Sequence, residues 1–534
     1  MSERRYSRRK FIATAGLVGA FYRIQSINEQ APHLSKGVYS EIKLNGFNMP
    51  HLWGYDVARA GGGQRPMADL MANMLMIRGC DLGMDGHPIN SGRLVSPVAG
   101  GTSITGLVAD MTNSLFPAIS VGETPANRAF KSPVGTSAVE IPSEHDDYLS
   151  FLLEIFYRQN DPTYRSRQSL DAQVEKAMGA LRAYSLSNNP GAEILYNERQ
   201  KSERLLRKGI ENLGQAFSPL VKKYEDLFQR SLHLSPVAGV TDGILPGLKF
   251  PCEVPGHAGP AKALASHHLD GRFLCPPDIR TLYRNAKSQN LAKHFALAEF
   301  ALTEGLSSSI LLSSAHERGF TLMGLDSMET YRIEQLESSF DPERGVTIFH
   351  VKDGAKSELH TQDMLHDSHG TGWLSNVVTC TLFYRGFSSC LIELIDRLKE
   401  QRLGGGTLFD ETVIHFATEF DRIPVNRGAF SDHNFKAHVT SLYSGIIQEP
   451  MILGNVYVGR RKAEDELRPS GTLGDAAPIP SLDNQMISTA NVSSTLSEML
   501  RIPRVVPRAP ALVTVNGNRL RPAIEAGRNV EDNV

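Results

Sequence analysis

Asp and His side chains are concentrated in the stretch from residue 366 to residue 438. It begins with HDSHG at residues 366–370, which contains Asp367 and His369. Near its end, SDHN at residues 431–434 contains Asp432 and His433. Carboxylate oxygen and imidazole nitrogen together suit zinc, manganese or iron, whereas calcium prefers oxygen ligands alone. These four residues are therefore candidate ligands of one divalent metal ion, or of two neighbouring ions. The alternative is that they are hydrogen-bonded turn residues and helix caps.

An acidic residue and an arginine lie between these two pairs. The β-branched run TVIHFA at residues 412–417 predicts a strand, and Glu419 follows it directly. Ligands of open α/β sheets bind at the carboxyl ends of strands, so Glu419 joins the candidate metal ligands. Arg422 is a candidate for binding an anionic substrate through its planar guanidinium group. A site with two metal ions would favour in-line attack on a phosphate or sulfate ester.

A second polar segment follows an earlier predicted strand, the apolar run MLMI at residues 74–77. Loops after strands commonly carry the chemistry of α/β proteins, and the candidates in this Gly-rich segment are Asp85, His87, Ser91, Thr102 and Ser103. For each of them the alternative is an ordinary turn residue. The residue patterns assign no catalytic nucleophile.

The elements around these candidates predict an α/β core that is interrupted by helices. Apolar residues at helical spacing predict a helical insertion over residues 143–235. A helix over residues 279–306 followed by a strand at 309–312 is typical of a parallel sheet, and residues 373–401 predict one long amphipathic helix. The predicted divisions are an N-terminal part of the core at 40–142, the insertion at 143–235, a C-terminal part of the core at 236–515 and a tail at 516–534.

The composition is that of a globular protein, and the N-terminal sequence predicts an export signal. Of the 534 residues 41% are hydrophobic and 21% are charged, and a net charge of -2 gives no nucleic-acid-binding signature. Arg8 and Arg9 precede the short apolar run Phe11–Ala20, which predicts a twin-arginine signal peptide at residues 1–20. The alternative is a basic N-terminal tail. The mature protein is predicted to be periplasmic or extracellular, without a transmembrane segment.

The five cysteines show no metal-binding spacing. No disulfide is predicted, although Cys252 and Cys275 could pair after export.

The motifs of the C-terminal part resemble the domain-of-unknown-function 1501 family, which is often exported by the twin-arginine route. The family is grouped with the alkaline phosphatase and sulfatase superfamily. Its Asp-Thr-His step is similar to DSH at 367–369, its Glu-Phe-Gly-Arg-Thr-Pro motif to EFDRIP at 419–424, and its Asp-His pair to DH at 432–433. The resemblance covers residues 290–510 and is faint over 66–125.

This resemblance implies an alkaline-phosphatase-like three-layer sandwich with a mainly parallel sheet and a helical insertion. It implies that Asp367, His369, Asp432 and His433 are counterparts of the superfamily's metal ligands, with zinc, manganese or another divalent ion as the cofactor. The implied activity is hydrolysis of a phosphate or sulfate ester of a small molecule or polysaccharide.

Two departures from the family and superfamily patterns support an alternative. Asp421 and Ile423 replace the Gly and Thr of the family motif, and the chain has no clear Asp-Gly strand end followed by a nucleophilic Ser, Thr or Cys. A Cys-x-Pro-x-Arg sulfatase signature is also absent from the sequence. The alternative is a non-catalytic periplasmic binding or assembly protein that retains the fold.

Overall fold

The central element of the structure, a computed structural model, is a nine-stranded sheet. The strands of this sheet are β1 Lys10–Ala15, β2 Met74–Asp81, β3 Ala118–Val121, β4 Ala138–Ile141, β5 Ser309–Ser313, β6 Thr412–Ala417, β7 His438–Tyr443, β8 Met451–Leu453 and β9 Ile487–Ser488. The residues that the structure describes are 10–15, 41–157, 176, 209–234, 250–255, 260–266, 268–269, 271–273, 287–288, 290–313, 320–323, 328–360, 364–366, 373–425, 430–458, 472 and 474–531.

The sheet has the order β8-β2-β7-β6-β1-β5-β3-β4, and β9 extends the ladder on β2. Strand β7 pairs antiparallel with both β2 and β6, whereas the other ladders of this sheet are parallel. The carboxyl ends of β2 and β6 therefore lie at the same edge, and β7 begins there. This confirms the predicted α/β class.

Helices pack on both faces of the sheet. The α-helices are α1 His87–Arg93, α2 Ile104–Asp110, α3 Pro125–Arg128, α4 Tyr148–Tyr157, α5 Gly209–His233, α6 Pro260–Ser266, α7 Leu291–Thr303, α8 Trp373–Glu400 and α9 Thr489–Leu500. Short 3-10 helices span His51–Gly54, Met67–Asn73, Ile333–Gln335 and Pro480–Leu482.

Alternate side chains of β2 enter two separate hydrophobic cores, because successive residues of a strand point to opposite faces. In β2, Met74 and Met76 join the core beneath α5, α7 and α8, whereas Leu75 and Ile77 join the core beneath α2 and α9. Strand β2 is therefore buried on both sides, which explains why it begins with the continuous apolar run MLMI.

The remaining strands form small sheets around this centre. Their members are Glu41–Leu44 with Phe47–Pro50; Asp56–Ala58 with Gln64–Pro66; His268–Leu269, Arg272–Phe273, Met328–Arg332 and Glu358–His360; Lys287–Ser288, Phe320–Met323 and Met364–His366; Leu336–Asp341, Val346–Val351 and Cys252–Pro255; Arg402–Leu403 with Gly406–Thr407; Asp421–Val425 with Phe430–Asn434; Asn455–Tyr457, Ala476–Ala477 and Asn529–Val530; and Val513–Asn516 with Arg519–Pro522.

Helix α5, in the region of the predicted insertion, is joined to the core by a half-buried ion network. Lys223 Nζ lies 2.6 Å from Glu299 Oε2 on α7 and 3.1 Å from Glu393 Oε1 on α8. Arg397 lies 2.8 Å from the same Glu393 carboxylate. Burial raises the pKa of Glu393, but these two cations outweigh burial and leave the pKa below its usual value.

Several element boundaries differ from the sequence-based predictions. Of the helix predicted over residues 279–306, the described part is α7, which begins at Leu291 and is preceded by the short paired strand Lys287–Ser288. Residues 279–286 lie outside the described ranges. At the start of α4, Asp147 Oδ1 accepts the Ser150 N–H at 3.0 Å, so Asp147 caps this helix. The part of the predicted insertion at residues 177–208 lies outside the described ranges. The predicted tail at residues 516–534 is hydrogen-bonded to the predicted core, because the Leu520 N–H donates to Ile446 O at 2.9 Å.

The apolar run of the predicted signal peptide contributes the central strand β1. Ile12 is in register with Ile310 of β5 on one side and with Ile414 of β6 on the other. Removal of this strand would leave a gap of about two strand spacings, roughly 9.5 Å, in the middle of the sheet.

Two further findings concern the predicted location of the chain. Cys252 is disulfide-bonded, and Cys275 of the considered pair lies outside the described residues. Cys80 and Cys390 are free and buried. None of the helices in the described ranges combines the length and apolar character that a membrane span requires.

Candidate functional site

Four ionisable side chains meet at the carboxyl edge of the main sheet. Asp85 and His87 lie in the loop after β2 and at the start of α1, respectively. Glu419 follows β6 directly, and His433 lies in the strand Phe430–Asn434. Because β2 and β6 run in the same direction with β7 between them, these two loops are carried to the same edge, where ligands of α/β sheets bind.

The four side chains form a continuous series of short contacts. His433 Nδ1 lies 2.6 Å from Asp85 Oδ1, and His87 Nδ1 lies 3.0 Å from Glu419 Oε1. The two imidazole rings face each other through their remaining nitrogens, with the Nε2 atoms 2.9 Å apart. The order is Asp85, His433, His87, Glu419, which we call the histidine pair with its two carboxylates.

The facing nitrogens of the histidine pair require a positive species between them. An ionised carboxylate only accepts hydrogen bonds, so Asp85 and Glu419 place the ring protons on Nδ1 of their histidines. The Nε2 atom of each neutral ring then carries a lone pair. Two lone pairs 2.9 Å apart repel each other unless a proton or a metal cation lies between them. With a shared proton the contact is an N–H···N hydrogen bond of ordinary length.

Phe420 forms an aromatic wall on one side of the histidine pair. It is buried, its ring stacks on His433 with a centroid distance of 4.0 Å, and it meets His87 edge-on at 4.8 Å. The opposite side opens to solvent, since the Asp85 side chain is 46% exposed whereas that of His433 is 12% exposed. A ligand can therefore approach from the side of the β2–α1 loop.

The strand pair Asp421–Val425 and Phe430–Asn434 positions His433. In this pair Arg422 is in register with His433, and Asp432 Oδ1 accepts the backbone N–H of His433 at 2.8 Å. Asn434 is buried and donates to Asp475 Oδ1 at 3.0 Å, which fixes the end of the strand next to the site. The buried Asp421 occupies the position where the similar family motif has Gly.

Two buried histidines, which were not among the candidate residues, lie at the same end of the sheet. Burial and the neighbouring His438 lower the pKa of His415 to about 3. The pKa of His438 is lowered to about 4 by burial, against the opposing charge of Glu419. His415 Nε2 lies 2.7 Å from Thr440 Oγ1, whose hydroxyl donates to Phe416 O at 3.1 Å, so His415 is the donor to Thr440. Both rings are neutral at pH 7.

The predicted candidates with hydroxyl groups take largely structural positions. Ser103 Oγ accepts the Gly106 N–H at 2.9 Å and so caps α2, which is a structural role but not the turn position stated as its alternative. Ser91 lies within α1 and is buried, and Thr102 is half-buried. None of the described hydrogen bonds joins these three hydroxyls to the histidine pair.

The structure thus brings together Glu419 and His433 with Asp85 and His87 from the earlier loop. Asp367 and His369 lie outside the described residues, directly after the strand Met364–His366. Within the described ranges no three His, Cys, Asp or Glu side chains converge as a complete metal-binding group. No family model, no curated protein and no solved structure matches this chain, so the interpretation of the site rests on its own geometry.

Proposed function

We propose that this chain is an exported metal-dependent hydrolase of a phosphate or sulfate ester, with an alkaline-phosphatase-like three-layer core. The observation that carries the proposal is the meeting of two histidines and two carboxylates at the carboxyl ends of β2 and β6. The motif resemblance at residues 367–369, 419–424 and 432–433 supports the same class. The donors present fit a divalent transition metal, since they combine imidazole nitrogen with carboxylate oxygen.

The proposed metal site combines residues of three segments. The proposed ligands are drawn from Asp367, His369, Asp432, His433 and Glu419. A divalent ion bound there would supply Lewis-acid polarisation of the ester and neutralise its negative charge.

The chain's own residues would bind and orient the substrate. The buried Phe420 excludes water from one side of the site, which strengthens electrostatic interactions there. Arg422, in register with His433, is the proposed partner of the ester anion. Asp85 and Glu419 hold the imidazole rings of His433 and His87 in one tautomer.

The proposal is tested with the purified full chain, supplemented in turn with Zn²⁺ and Mn²⁺ and assayed on aryl phosphates and aryl sulfates. We expect turnover of one series and a loss of at least about 100-fold in His433→Ala, the size typical of removing a metal ligand or its support. The matched control is His350→Ala, an exposed histidine in the strand Val346–Val351. Absence of turnover of both ester series with either metal would refute the proposal.

A non-catalytic binding or assembly protein is the second candidate. It is favoured by the capping role of Ser103 and the burial of Ser91, which leave the described hydroxyl candidates without a contact to the histidine pair. This candidate predicts that metal raises the melting temperature without any ester hydrolysis. Metal-dependent turnover that His433→Ala abolishes would exclude it.

The proposed export signal at residues 1–20 contains strand β1. The Arg8-Arg9 pattern supports it, and so does the disulfide of Cys252, because disulfides persist in oxidising compartments. The same apolar run forms β1, so a chain cleaved after residue 20 would lack the central strand. N-terminal sequencing of protein from the periplasmic fraction tests this directly. Recovery of the chain in the cytoplasmic fraction alone would contradict export.

A further inference from the structure

We infer that a divalent transition-metal ion binds between Nε2 of His87 and Nε2 of His433, and that Glu419 and Asp85 orient the two rings instead of binding the ion. The inference rests on the proposed function and deepens it, because it gives His87 a ligand role and makes Glu419 a positioning residue. The observation behind it is the pair of facing Nε2 atoms, each on a ring whose Nδ1 contacts a carboxylate.

The separation of the two nitrogens matches the geometry of a shared metal ion. For metal–nitrogen distances of about 2.05 Å, two ligands at a right angle are about 2.9 Å apart, and two ligands at the tetrahedral angle are about 3.3 Å apart. The observed separation of 2.9 Å equals the first value and is shorter than the second by about 0.4 Å. The separation is therefore compatible with two ligands of one ion, and it is also the length of a hydrogen bond through a shared proton, so the local charge has to distinguish the two.

The local charge favours a divalent ion over a shared proton. Asp85 and Glu419 contribute two negative charges next to two rings that are neutral when each carries its proton on Nδ1. A shared proton would leave this group with one net negative charge, whereas a divalent ion would neutralise it. Imidazole nitrogen as the ligand favours zinc, copper, iron and nickel, and disfavours calcium, magnesium and, to a lesser extent, manganese.

The two carboxylates have the geometry of supporting residues. Histidines that bind metals usually donate their second ring N–H to a carboxylate, which fixes the tautomer and increases the basicity of the ligating nitrogen. Asp85 and Glu419 are placed in this way on two different rings, at 2.6 Å and 3.0 Å. Loss of such a support typically costs 10-fold to 100-fold in metal affinity, less than the loss of a ligand.

Calorimetric titration of the metal-free full chain with Zn²⁺ and Mn²⁺ tests the inference. His87→Ala is expected to lower the affinity by more than about 100-fold, whereas Glu419→Gln, whose amide oxygen still accepts the His87 Nδ1–H, is expected to lower it by about 10-fold. The control His350→Ala keeps the wild-type affinity. In the wild type, the visible absorption spectrum of bound Co²⁺ is expected to show nitrogen ligation, and this spectrum is expected to change in His87→Ala.

Three results would overturn the inference: no binding of either ion to the wild-type chain, unchanged affinity in His87→Ala, or equal losses in Glu419→Gln and His87→Ala. The last result would identify Glu419 as a direct ligand. Melting temperatures of the metal-free variants establish that each one is folded. Metal binding through His87 without ester turnover would refute only the proposed hydrolase function. Turnover with a metal affinity that does not depend on His87 would refute only this inference.

Discussion

The ring of Phe420 stacks on that of His433, with centroids 4.0 Å apart and planes inclined by 17°. A second phenylalanine, Phe416 on β6, stacks in the same manner on Phe387 of α8, with centroids 4.3 Å apart. Both phenylalanines on the β6 side are 3% exposed, but only Phe420 contacts the histidine pair. Phe420 therefore supports the site, and Phe416 supports the core.

The contrast between these two residues yields a matched pair of variants. Phe420→Leu and Phe416→Leu should each lower the free energy of unfolding by about 1–2 kcal/mol, since each replaces a buried ring by a smaller side chain. Only Phe420→Leu should also weaken metal binding, by about 10-fold, because His433 loses the surface that fixes its ring plane. Urea denaturation and calorimetric metal titration measure the two effects. Equal metal affinities in the two variants would contradict the role of Phe420.

Buried neutral histidines should make the stability of the fold sensitive to acid. Burial, and then the charge of Lys293, lowers the pKa of His294 to about 3, and the pKa of His415 is also lowered to about 3. In the unfolded chain these groups bind protons near pH 6.5, so below that value the unfolded state binds more protons than the folded state. Stability should therefore be independent of these groups above pH 6.5 and fall as the pH decreases toward 3.

The expected slope is about 1.4 kcal/mol per pH unit for each of these histidines. His294→Phe should remove one such contribution, because a phenyl ring cannot be protonated. Urea denaturation at a series of pH values between about 7 and 5 measures the slope. His350→Phe, at an exposed position, serves as the control. An unchanged slope in His294→Phe would show that this ring is already protonated in the folded state.

Local features of the sequence were sufficient to predict the elements on which the site is built. The strand predicted at residues 412–417 has the same bounds in the structure, because its β-branched residues are buried on both faces. The long helix predicted at 373–401 ends one residue earlier. Glu419 is placed at the strand end, as predicted.

The partners of these residues depend on the order of the strands, which has no local signal. His87 and His433 are separated by 346 residues, and they meet because β7 lies between β2 and β6. Asp85 and His87 were named only as members of a polar loop, without a means to choose them over Ser103. The role of residues 10–15 as β1 was missed for a different reason. A short apolar run has the same pattern in a signal peptide and in a buried strand.

The ion network of Lys223 should be essential for the attachment of α5. In Lys223→Met the carboxylates of Glu299 and Glu393, which are 9% and 8% exposed, lose a common cation. Removing one partner of a fully buried ion pair typically costs about 3–5 kcal/mol. We expect a smaller loss here, because Lys223 is 20% exposed and Glu393 keeps Arg397 as a partner, whereas Glu299 loses this cation. The neighbouring Lys222 is exposed, so Lys222→Met is the matched control. Urea denaturation measures both variants, and equal stabilities would contradict the role of the network.

Strand β1 should contribute strongly to the stability of the full-length chain. Ala13 lies between Leu311 of β5 and His415 of β6, so its backbone N–H belongs to the interior of a parallel sheet. In Ala13→Pro the N–H is lost and the ring interferes with the ladder, which should cost about 3 kcal/mol or more. Ala13→Val keeps the N–H and favours the strand, so it should cost less stability than Ala13→Pro even where the added methyl groups need repacking. Equal free energies of unfolding for the two variants would show that β1 does not occupy the centre of the sheet in the folded chain.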